Sequence, residues 1–491
     1  MRELDQPNSD QGTESMRTLG GVLARTAGQC RLEGDANAEI TDVTNDSRSV
    51  RSGAMYCCVR GERHDGHDFA ADAVRRGAGS LLVDHVLPSC GVPQVVVGDT
   101  RRAMGQVAAA FHDHPCESLK VIGVTGTNGK TTTAHMLGAI LNHSGERTTV
   151  LGTLSGIRTT PESPELQRTL AQERDGGTTA VVMEVSSHAL ALQRVAGMRF
   201  RSTVFTNLGH DHLDFHRTQD AYFAAKQSLF SKEYTAIGII NGDDPFGRVI
   251  AEHCDIEVAL FGMADAGNTT VDAAGSEFSW RGARIHCVIG GDFNVLNALA
   301  AATTAAELGI SPNVIAAGLG AMSQIPGRFE RVVHGGNFSV FVDYAHTPEA
   351  LGKVIATARA LVDGSPTSGT RRPRVIVVFG CGGDRDPSKR QEMGRVGCTA
   401  DLVVVTSDNP RHESPEAIIG AIIAGVPDSE RGRVVSEVDR RRAISVACES
   451  AGPGDVVIIA GRGHEATQSI AGEEIPFIDA HVVRSVLGVS E

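Results

Sequence analysis

The stretch VIGVTGTNGKTTT, residues 121–133, decides the fold that this chain is expected to adopt. Its apolar first half predicts a buried strand, and the alanine- and leucine-bearing residues from Ala134 to Leu141 predict a helix behind the glycine-rich middle. Gly126 and Gly129 let the backbone approach phosphate oxygens closely, while successive amides and the start of the helix offer donors and positive partial charge. The stretch therefore predicts a phosphate-binding loop.

Two side chains of this loop add chemistry to the backbone. Lys130 can reach the β- and γ-phosphates of a nucleotide, and Thr131 can place its hydroxyl on Mg²⁺. The loop departs from the general P-loop pattern, because the first glycine of that pattern would fall on Val124. A chance glycine-rich turn is the alternative, but the strand, the Lys-Thr pair and the helix together favour a site for ATP and Mg²⁺.

Length and charge bound the class of protein. A chain of 491 residues is too long for one compact core and suggests about three domains. The net charge of −13 opposes nonspecific binding to nucleic acid or to an acidic membrane surface, and one Trp with four Tyr offers little surface for stacking bases. No apolar stretch approaches the ~18 residues of a spanning helix. We therefore expect a soluble protein without nucleic-acid or membrane-inserted partners.

The cysteines and the first residues suggest where the protein works and where its fold begins. Ten cysteines are scattered without CxxC pairs or an early signal segment, which favours reduced thiols in a cytoplasmic protein. The adjacent Cys57 and Cys58 lie in a strand-like run and are expected in the core rather than on a metal. Residues 1–15 are polar and aperiodic and predict a disordered tail, so that the functional start is Met16, followed by a first helix.

Small α/β units are predicted between residues 19 and 116, with strand-like segments CRLEG, MYCCV, SLLVD and PQVVVGD. Two polar stretches interrupt them, TNDSR at 44–48 and RGERHDGHDF at 60–69. By themselves these stretches predict a turn with a side-chain hydrogen bond and a charged surface loop.

Acidic and histidine side chains follow two later strands. Glu184 ends the apolar run that begins at Ala180, on the side of an α/β sheet that binds ligands, and its carboxylate suits Mg²⁺. Ser186 can cap the next helix, a role compatible with ligand binding. The strand STVFTNL leads into GHDHLDFH at 209–216, where the His and Asp density suggests zinc, although Mg²⁺ beside ATP fits the acidic members better. A helix is predicted from Gln219 to Lys232.

Four apolar runs in the last third of the chain each end in a polar loop: FSVFVDYAHTPEAL, RVIVVFGCGGDRD, ADLVVVTSDNPR and DVVIIAGRGHE. Parallel strands that end in functional side chains predict one edge of a sheet facing a cleft. Arg411, within DNPR, follows a proline that restricts its loop, and its guanidinium suits a planar carboxylate. The alternative is an ordinary surface pair between Arg411 and Glu413.

The loop TGTNGKTT resembles the variant phosphate loop of the Mur ligases and folylpolyglutamate synthetases, ATP-driven enzymes that join an amino acid to a carboxylate. The resemblance runs from Asn45 to Glu465 in the family's order, through DSR, TTPE, DHLD, YFAAK, NGDD, GDFNVLN, PGRFER, DYAH, DNPR and GRGHE. The DSR segment and DNPR are similar to the Mur ligases that add meso-diaminopimelate as the third residue of the peptidoglycan peptide. The family usually has lysine at the position of Arg462, and we assign Arg462 no role.

The resemblance implies an α/β fold of three domains, with a central P-loop ATPase-like parallel sheet and a C-terminal Rossmann-like domain. The disordered tail of residues 1–15 would be followed by a UDP-substrate-binding domain at 16–117. An ATP-binding domain would span 118–331 and an amino-acid-binding domain 332–491.

The resemblance also implies roles for individual residues. ATP would contact Gly126, Thr127, Asn128, Gly129, Lys130, Thr131, Thr132, Asn297, Arg328, Asp343 and His346. The UDP-muramoyl-dipeptide would contact Asn45, Ser47, Glu62, Arg63, His64, Arg158, Thr159, Thr160, Ser186, Leu192 and Arg194. Diaminopimelate would contact Arg385, Asp408, Asn409, Pro410, Arg411, Gly461 and Glu465. Metal ligands would be Thr131, Glu184, His212 and Lys226 as a carbamate, and catalytic residues Lys130, Lys226 and His212.

The implied reaction joins diaminopimelate to UDP-N-acetylmuramoyl-L-alanyl-D-glutamate through an acyl phosphate, and we expect a monomer that uses ATP and Mg²⁺. Positioning and electrostatics carry such a reaction without an enzyme nucleophile. Three alternatives stay open: a lysine-adding Mur ligase, a folylpolyglutamate synthetase, and an ATP-gated module that has lost ligation. A single lysine on a helix is usually solvated, but the YFAAK setting of Lys226 resembles that of the family's carbamylated lysine.

Overall fold

The computed structural model describes residues 17–61, 64–156, 158–364 and 371–489. The predicted tail, Met16, Glu62 and Arg63 lie outside the described residues. Sheets follow one another along the chain, and the three largest each carry helices around them. The described helices include none long and apolar enough to cross a membrane.

The first sheet has five strands in the order β1-β5-β4-β3-β2, with β1 antiparallel to β5 and the other pairs parallel. Its strands are β1 Arg31–Glu33, β2 Val43–Thr44, β3 Met55–Cys57, β4 Ser80–Val83 and β5 Gln94–Val96. Its helices are α1 Leu19–Ala24, α2 Ala70–Arg75, α3 Thr100–Phe111 and α4 Pro115–Ser118. The four predicted strand segments and the first helix are confirmed.

Cys57 and Cys58 are both fully buried, as predicted. Successive residues of a strand face opposite sides of the sheet. Cys57 accordingly packs with Leu19 and Val107, and Cys58 with Leu81 on the other face. Burial raises the pKa of Cys58 to about 12, so the thiol stays protonated.

The second sheet is entirely parallel, with six strands in the order β11-β10-β9-β6-β8-β7. Its strands are β6 Lys120–Thr125, β7 Thr148–Leu151, β8 Ala180–Glu184, β9 Ser202–Phe205, β10 Ile237–Asn241 and β11 Glu257–Phe261. Its helices are α5 Lys130–His143, α6 Ser163–Asp175, α7 Ser187–Ala191, α8 Leu213–His216, α9 Gln219–Gln227 and α10 Pro245–His253. The strand of the phosphate loop, β6, lies inside the sheet and is buried on both faces, which explains its continuous apolar run.

An antiparallel sheet that the sequence analysis did not predict follows β11. It consists of β12 Gly267–Asp272, β13 Gly275–Trp280 and β14 Ala283–Cys287. Two helices come next, α11 Asp292–Glu307 and α12 Pro312–Gly320. Residues 292–297 of the GDFNVLN motif form the first turns of α11.

The third large sheet has the order β15-β16-β20-β17-β18-β19, parallel except for β15. Its strands are β15 Glu330–Val332, β16 Ser339–Asp343, β17 Val375–Phe379, β18 Leu402–Val405, β19 Val434–Ser436 and β20 Val456–Ala460, and a hairpin of β21 Thr467–Ile470 and β22 Glu473–Pro476 follows. Its helices are α13 Pro348–Gly364, α14 Arg390–Gly397, α15 Pro415–Ile423, α16 Arg440–Ser450 and α17 Asp479–Val486. All four predicted strands are confirmed.

One apolar cluster joins the second and third sheets. It runs from Ile122 and Leu137 through Leu299 on α11 to Phe341 and Val377. Since parallel strands of both sheets end toward the region between them, the polar loops after these strands meet in a cleft.

Candidate active site

The cleft holds a cavity of about 410 Å³ between the second and third sheets. Loops that follow β6, β8, β9 and β16 line it, together with the start of α11. Its lining includes Thr127, Asn128, Gly129, Lys130, Thr131, Thr132, Glu184, His212, Asn297, Arg328, Asp343 and His346. Residues from 127 to 346 in the chain thus meet in one place, and nearly all of the residues matched to ATP are among them.

The phosphate loop needs its two glycines for steric reasons. Gly126 and Gly129 have φ of +150° and +85°, and a Cβ at either position would collide with Thr206 or Asn297. The loop is tied to the end of β9, because Asn207 Oδ1 accepts from the Asn128 amide at 2.9 Å. Helix α5 begins at Lys130, four residues before the predicted start, so its first amides face the cleft.

Lys130 and Lys226 converge on a single carbonyl. The Lys130 Nζ donates to Gly126 O and Thr127 O at 2.9 Å each, and the Lys226 Nζ donates to the same Gly126 O at 2.8 Å. Burial and the charge of Lys130 hold the pKa of Lys226 well below its ordinary value, although Asp211 acts in the opposite direction. The neutral amine is therefore favoured at Lys226.

Lys226 is only 1% exposed, so the ordinary expectation of a solvated helical lysine is wrong here. Helix α9, which ends at Gln227 rather than Lys232, docks its inner face on the phosphate loop. Tyr222, one turn before Lys226, is fully buried and its hydroxyl lies 2.9 Å from Thr127 Oγ1. The sequence analysis did not assign Tyr222, although its i−4 spacing from Lys226 places both on one helix face.

Glu184 lies at the carboxyl end of β8, as predicted, and is 1% exposed. Its Oε1 accepts from the Thr131 hydroxyl at 2.9 Å and from the Thr153 amide at 2.8 Å. Arg328 donates to the Thr131 hydroxyl at 2.9 Å and lies 4.6 Å from the Tyr344 ring centroid. A carboxylate and a hydroxyl in contact beside the phosphate loop form an oxygen donor set that suits Mg²⁺.

His212 immediately precedes α8 and has a left-handed φ of +57°, and its ring packs edge-on against His188 at 4.7 Å. Burial lowers the pKa of His212 to about 3, so the imidazole is neutral and keeps a lone pair for a ligand. Asp211 lies between two histidines, with its Oδ2 3.5 Å from His212 Nε2 and 3.8 Å from His346 Nε2. This carboxylate, which the sequence analysis left unassigned, bridges the second and third sheets.

Asp343 and Asn297 are nearly buried polar groups at the back of the cleft. The Asp343 carboxylate accepts from the amides of Phe329 at 2.7 Å and Ala345 at 2.8 Å, and burial raises its pKa. Asn297 donates to Asn294 Oδ1 at 3.1 Å and accepts from the Thr133 hydroxyl at 3.4 Å. Both side chains thus fix the elements around the cavity.

The residues matched to the UDP-muramoyl-dipeptide fall into two groups. Thr160 donates to Glu184 O at 2.9 Å, and Arg194 donates to Thr160 O at 3.2 Å. Arg158 and Arg194 both pair with Glu162, at 3.3 and 2.8 Å. Thr159, Leu192 and Ser186 lie in the same region after β7 and β8, and Ser186 caps α7 as expected.

The second group, Asn45, Ser47 and His64, lies on the first sheet's loops and does not line the cavity described above. The predicted side-chain turn is present, because Asp46 Oδ1 accepts from the Arg48 amide at 2.9 Å. The first and second sheets are connected by Arg168, which pairs with Asp42 at 2.7 Å.

The residues matched to diaminopimelate follow β17, β18 and β20, at one edge of the third sheet as predicted. Asn409 donates to Glu465 Oε2 at 2.6 Å, and Gly461 has φ of +111° where a Cβ would meet the Asp408 carboxylate. Asp408 and Pro410 are buried beside them. Arg385 is exposed and lines a cavity of about 460 Å³ with Leu213 and Asp214 of the second sheet's loops.

Arg411 does not pair with Glu413, so that alternative is wrong. Glu413 pairs with Arg390 at 2.9 Å, and Arg411 donates from Nη1 to Gly383 O at 2.8 Å. In the part of the chain that the structure describes, no carboxylate forms a salt bridge with Arg411 or Arg385. Both guanidinium groups therefore lie, without a carboxylate partner among these residues, on loops that follow β17 and β18.

A further cavity of about 570 Å³ connects these regions. It is lined by Asp211, which also lines the phosphate cavity, and by Asp386 and Ser388, which also line the Arg385 cavity. Lys389 lies on its wall. Three adjoining cavities thus run from the phosphate loop to Arg385.

Comparisons with known proteins agree with this architecture. Three family models match the chain: "Mur ligase family, catalytic domain" at residues 39–112, "Mur ligase middle domain" at 124–305, and "Mur ligase, glutamate ligase domain" at 327–463. The chain belongs to the Mur ligase family, which confirms the predicted α/β Mur ligase fold.

Among its relatives, the UDP-N-acetylmuramoyl-L-alanyl-D-glutamate--2,6-diaminopimelate ligase of Syntrophomonas wolfei subsp. wolfei is 41% identical over 93% of this chain and 96% of its own. A solved ligase of the same name is 29% identical, with a TM-score of 0.67 over 96% of this chain and 98% of that one. The MurF ligase of Thermotoga maritima, solved in complex with ADP, has a TM-score of 0.61 at 18% identity over 91% of this chain and 96% of its own, a likeness of fold alone.

Proposed function

We propose that this chain is an ATP-dependent ligase that adds meso-diaminopimelate to UDP-N-acetylmuramoyl-L-alanyl-D-glutamate in peptidoglycan precursor synthesis. The observation that carries the proposal is the series of adjoining cavities from the phosphate loop to the unpaired guanidinium of Arg385. The names of relatives at about 40% identity over nearly the whole chain support the same substrates.

ATP would bind with its phosphates at the amides of the loop 126–132. Lys130, whose Nζ donates to two carbonyl oxygens, would turn from Gly126 and Thr127 toward the β- and γ-phosphates. Arg328 would add a second positive charge at the same phosphates. Asn297, Asp343 and His346 would bound the nucleotide on the side of the third sheet.

Mg²⁺ would be held by Thr131 and Glu184, with His212 and a carbamylated Lys226 as further ligands. The contact between the Thr131 hydroxyl and the Glu184 carboxylate is the observation that supports the oxygen set. The neutral state favoured for both His212 and Lys226 suits ligand formation, since imidazole must be neutral to bind and CO₂ adds to a neutral amine. Bound Mg²⁺ supplies charge neutralisation at the transferring phosphoryl group.

The reaction then proceeds in two displacements. A carboxylate oxygen of the D-glutamyl residue attacks the γ-phosphorus, the bond to ADP breaks, and an acyl phosphate forms. The amine of the acceptor attacks the acyl carbon, loses a proton, and expels inorganic phosphate to leave an amide. Lys130 and Arg328 stabilise the charge on the phosphoryl oxygens, and the cleft holds the reactants in line.

The acceptor would be recognised at the loop 408–411 and at Glu465. The carboxylate that distinguishes diaminopimelate from lysine is a planar anion, and a guanidinium can bind both of its oxygens at once. Arg411 and Arg385 are available for it, because neither forms a salt bridge among the described residues. Glu465 would accept from an ammonium group of the acceptor.

The UDP end of the donor would lie on the first sheet, near Asn45 and Ser47, and its dipeptide near Thr160 and Arg194. Arg194 now pairs with Glu162 at 2.8 Å, so a donor carboxylate would bind to its guanidinium by sharing or replacing that partner. We place the enzyme in the cytoplasm as a monomer, where UDP-linked precursors and reduced thiols are both found.

The proposal is tested by measuring phosphate release with ATP, Mg²⁺ and each substrate in turn. We expect release only when UDP-muramoyl-dipeptide and diaminopimelate are both present, and much less with lysine. Equal or greater release with lysine would contradict the diaminopimelate assignment. Release with a folate and glutamate, or no amino-acid-dependent release, would contradict the Mur-type ligation itself.

A further inference from the structure

Arg462 occupies a position in the third sheet to which sequence analysis gave no role. It follows Gly461 after β20, and its side chain is fully buried. Its Nη2 donates to Thr467 O at 2.5 Å and to Phe477 O at 3.3 Å. Thr467 begins β21 and Phe477 follows the end of β22, so one nitrogen contacts both ends of the hairpin.

The charge of Arg462 lies near Glu465, one of the residues matched to diaminopimelate. Both carboxylate oxygens of the nearest buried acid, Asp479, accept from Arg440 at 2.7 Å, which leaves Arg462 Nη1 at 3.9 Å from Asp479. Arg462 Nε lies 3.6 Å from Glu465 Oε2, and among the described residues neither Nε nor Nη1 has a hydrogen-bond partner. Because a buried cation needs counter-ions, Asp479 and Glu465 together balance the charge of Arg462.

The hairpin in turn contacts the acceptor loop 408–411 through backbone and side-chain groups. Residues 468–471 supply a partner for each loop residue except Pro410, which has no N–H group to donate. The bonds are Gln468 Nε2 to Asp408 O at 2.6 Å, Ser469 N to Asn409 Oδ1 at 2.9 Å, Arg411 N to Ser469 O at 2.9 Å, and Ala471 N to Arg411 O at 2.6 Å.

Arg411 requires this support. Its φ is +54°, a left-handed conformation that costs a residue with a Cβ about 1 kcal/mol or more. The two backbone hydrogen bonds, to Ser469 and Ala471, hold it in that conformation and so fix the direction in which its side chain leaves the loop. Asn409 is held from two sides, by Ser469 and by Glu465.

We propose that Arg462 and Gln468 are positioning residues for the acceptor amino acid. They hold the β21–β22 hairpin against loop 408–411, and the hairpin keeps Arg411 and Asn409 in the geometry that recognises an amino acid with a second carboxylate. Arg462 also keeps Glu465 in place as an ionised acceptor for the ammonium group. This inference rests on the acceptor site of the proposed function.

The test measures KM for diaminopimelate, ATP and UDP-muramoyl-dipeptide, together with kcat, in Arg462→Met and Gln468→Met. Misplacing charged contacts should raise the KM for diaminopimelate by about tenfold or more, with the other two KM values within about twofold of wild type. Arg462→Lys, which restores the cation and one donor, should recover most of the loss. Hydrogen exchange of peptides covering 467–476 should accelerate in Arg462→Met without any substrate present.

Arg374→Met is the matched control. Arg374 lies at the opposite end of the third sheet, just before β17, and donates to Ser450 O at 2.5 Å and Asp455 Oδ2 at 3.2 Å. It therefore has the same kind of contacts away from the acceptor, and its loss should lower the melting temperature without changing any KM. If Arg462→Met does not fold, Gln468→Met decides the question by the same KM comparison.

Several results would overturn the inference. One is an unchanged KM for the acceptor in both Gln468→Met and folded Arg462→Met. Another is an equal rise in all three KM values. The third is faster hydrogen exchange of the hairpin with unaltered acceptor kinetics. If wild type uses another amino acid, the proposed specificity fails, and the same KM comparison with that acceptor still decides the role of Arg462. If wild type releases no phosphate with any amino acid, both proposals fail.

Discussion

Replacing Lys226 by alanine should nearly abolish ligation, and the structure sets the scale of the loss. Lys226 and Lys130 donate to the same carbonyl oxygen at 2.8 and 2.9 Å, so their nitrogens lie less than about 6 Å apart. At an effective dielectric constant of roughly 20, two unit charges at ~6 Å interact by about 3 kcal/mol. Addition of CO₂ to the neutral Lys226 amine, with loss of a proton, creates an anion near Lys130 and therefore an attraction of about this size.

Lys226→Ala removes the carbamate and therefore an attraction of about 3 kcal/mol, which corresponds to roughly a hundredfold lower kcat. Short-chain carboxylates such as formate or acetate should restore part of the activity by supplying the missing oxygens. Phosphate release at saturating substrates measures both effects. Lys232→Ala is the control, because this exposed lysine just beyond α9 pairs only with Asp255 at 3.4 Å among the described residues.

Activity of Lys226→Ala within about threefold of wild type would refute this reasoning, since a loss of ~3 kcal/mol cannot be so small. A large loss that no carboxylate relieves, combined with wild-type activity that is indifferent to removal of CO₂, would refute the carbamate and leave only a packing role for the side chain.

Three further predictions concern other parts of the chain. Arg411→Ala should raise the KM for diaminopimelate at least about tenfold with little change in the KM for ATP, and unchanged diaminopimelate kinetics would contradict its role. Deletion of residues 1–15 should leave melting temperature and activity unaltered, whereas a large loss of either would show that the tail contributes. Burial lowers the pKa of His112 from 6.5 to about 4, so below about pH 6.5 the unfolded chain binds a proton there that the folded chain does not, and stability should fall. His112→Gln should therefore make the melting temperature depend less steeply on pH on the acid side. An unchanged slope would argue against a contribution from His112.

Strand positions were predictable from the sequence because buried parallel strands are continuous apolar runs, as β6, β17 and β20 illustrate. The first and last residues of helices were harder to predict from the sequence. The start of α5 was predicted at Ala134 because the preceding threonines have modest helix propensity. In the structure Thr131 donates to Glu184 and Thr133 to Asn297, and these tertiary bonds stabilise a helix that begins at Lys130.

Two charged residues show more clearly that local sequence does not determine the burial or the partners of a side chain. A lysine within a helix looks solvated in sequence, and the burial of Lys226 depends on Tyr222 docking α9 against a loop nearly a hundred residues earlier. Likewise Arg411 and Glu413 look like a local pair, but Glu413 binds Arg390 and Arg411 is held by β21. Partners distant in sequence decided both outcomes.

The sequence by itself determined the phosphate loop, the succession of strands with polar loops at their carboxyl ends, and the order of motifs that resembles the Mur ligases. These features are local, since each depends on glycine conformation, apolar runs and side-chain types within a few residues. Only the tertiary structure decided which loops share a cleft, that Lys226 and Lys130 meet at one carbonyl, and that Arg462 contacts both ends of the β21–β22 hairpin. Such contacts are set by strand order and by the packing of one sheet against another, which no short stretch of sequence contains.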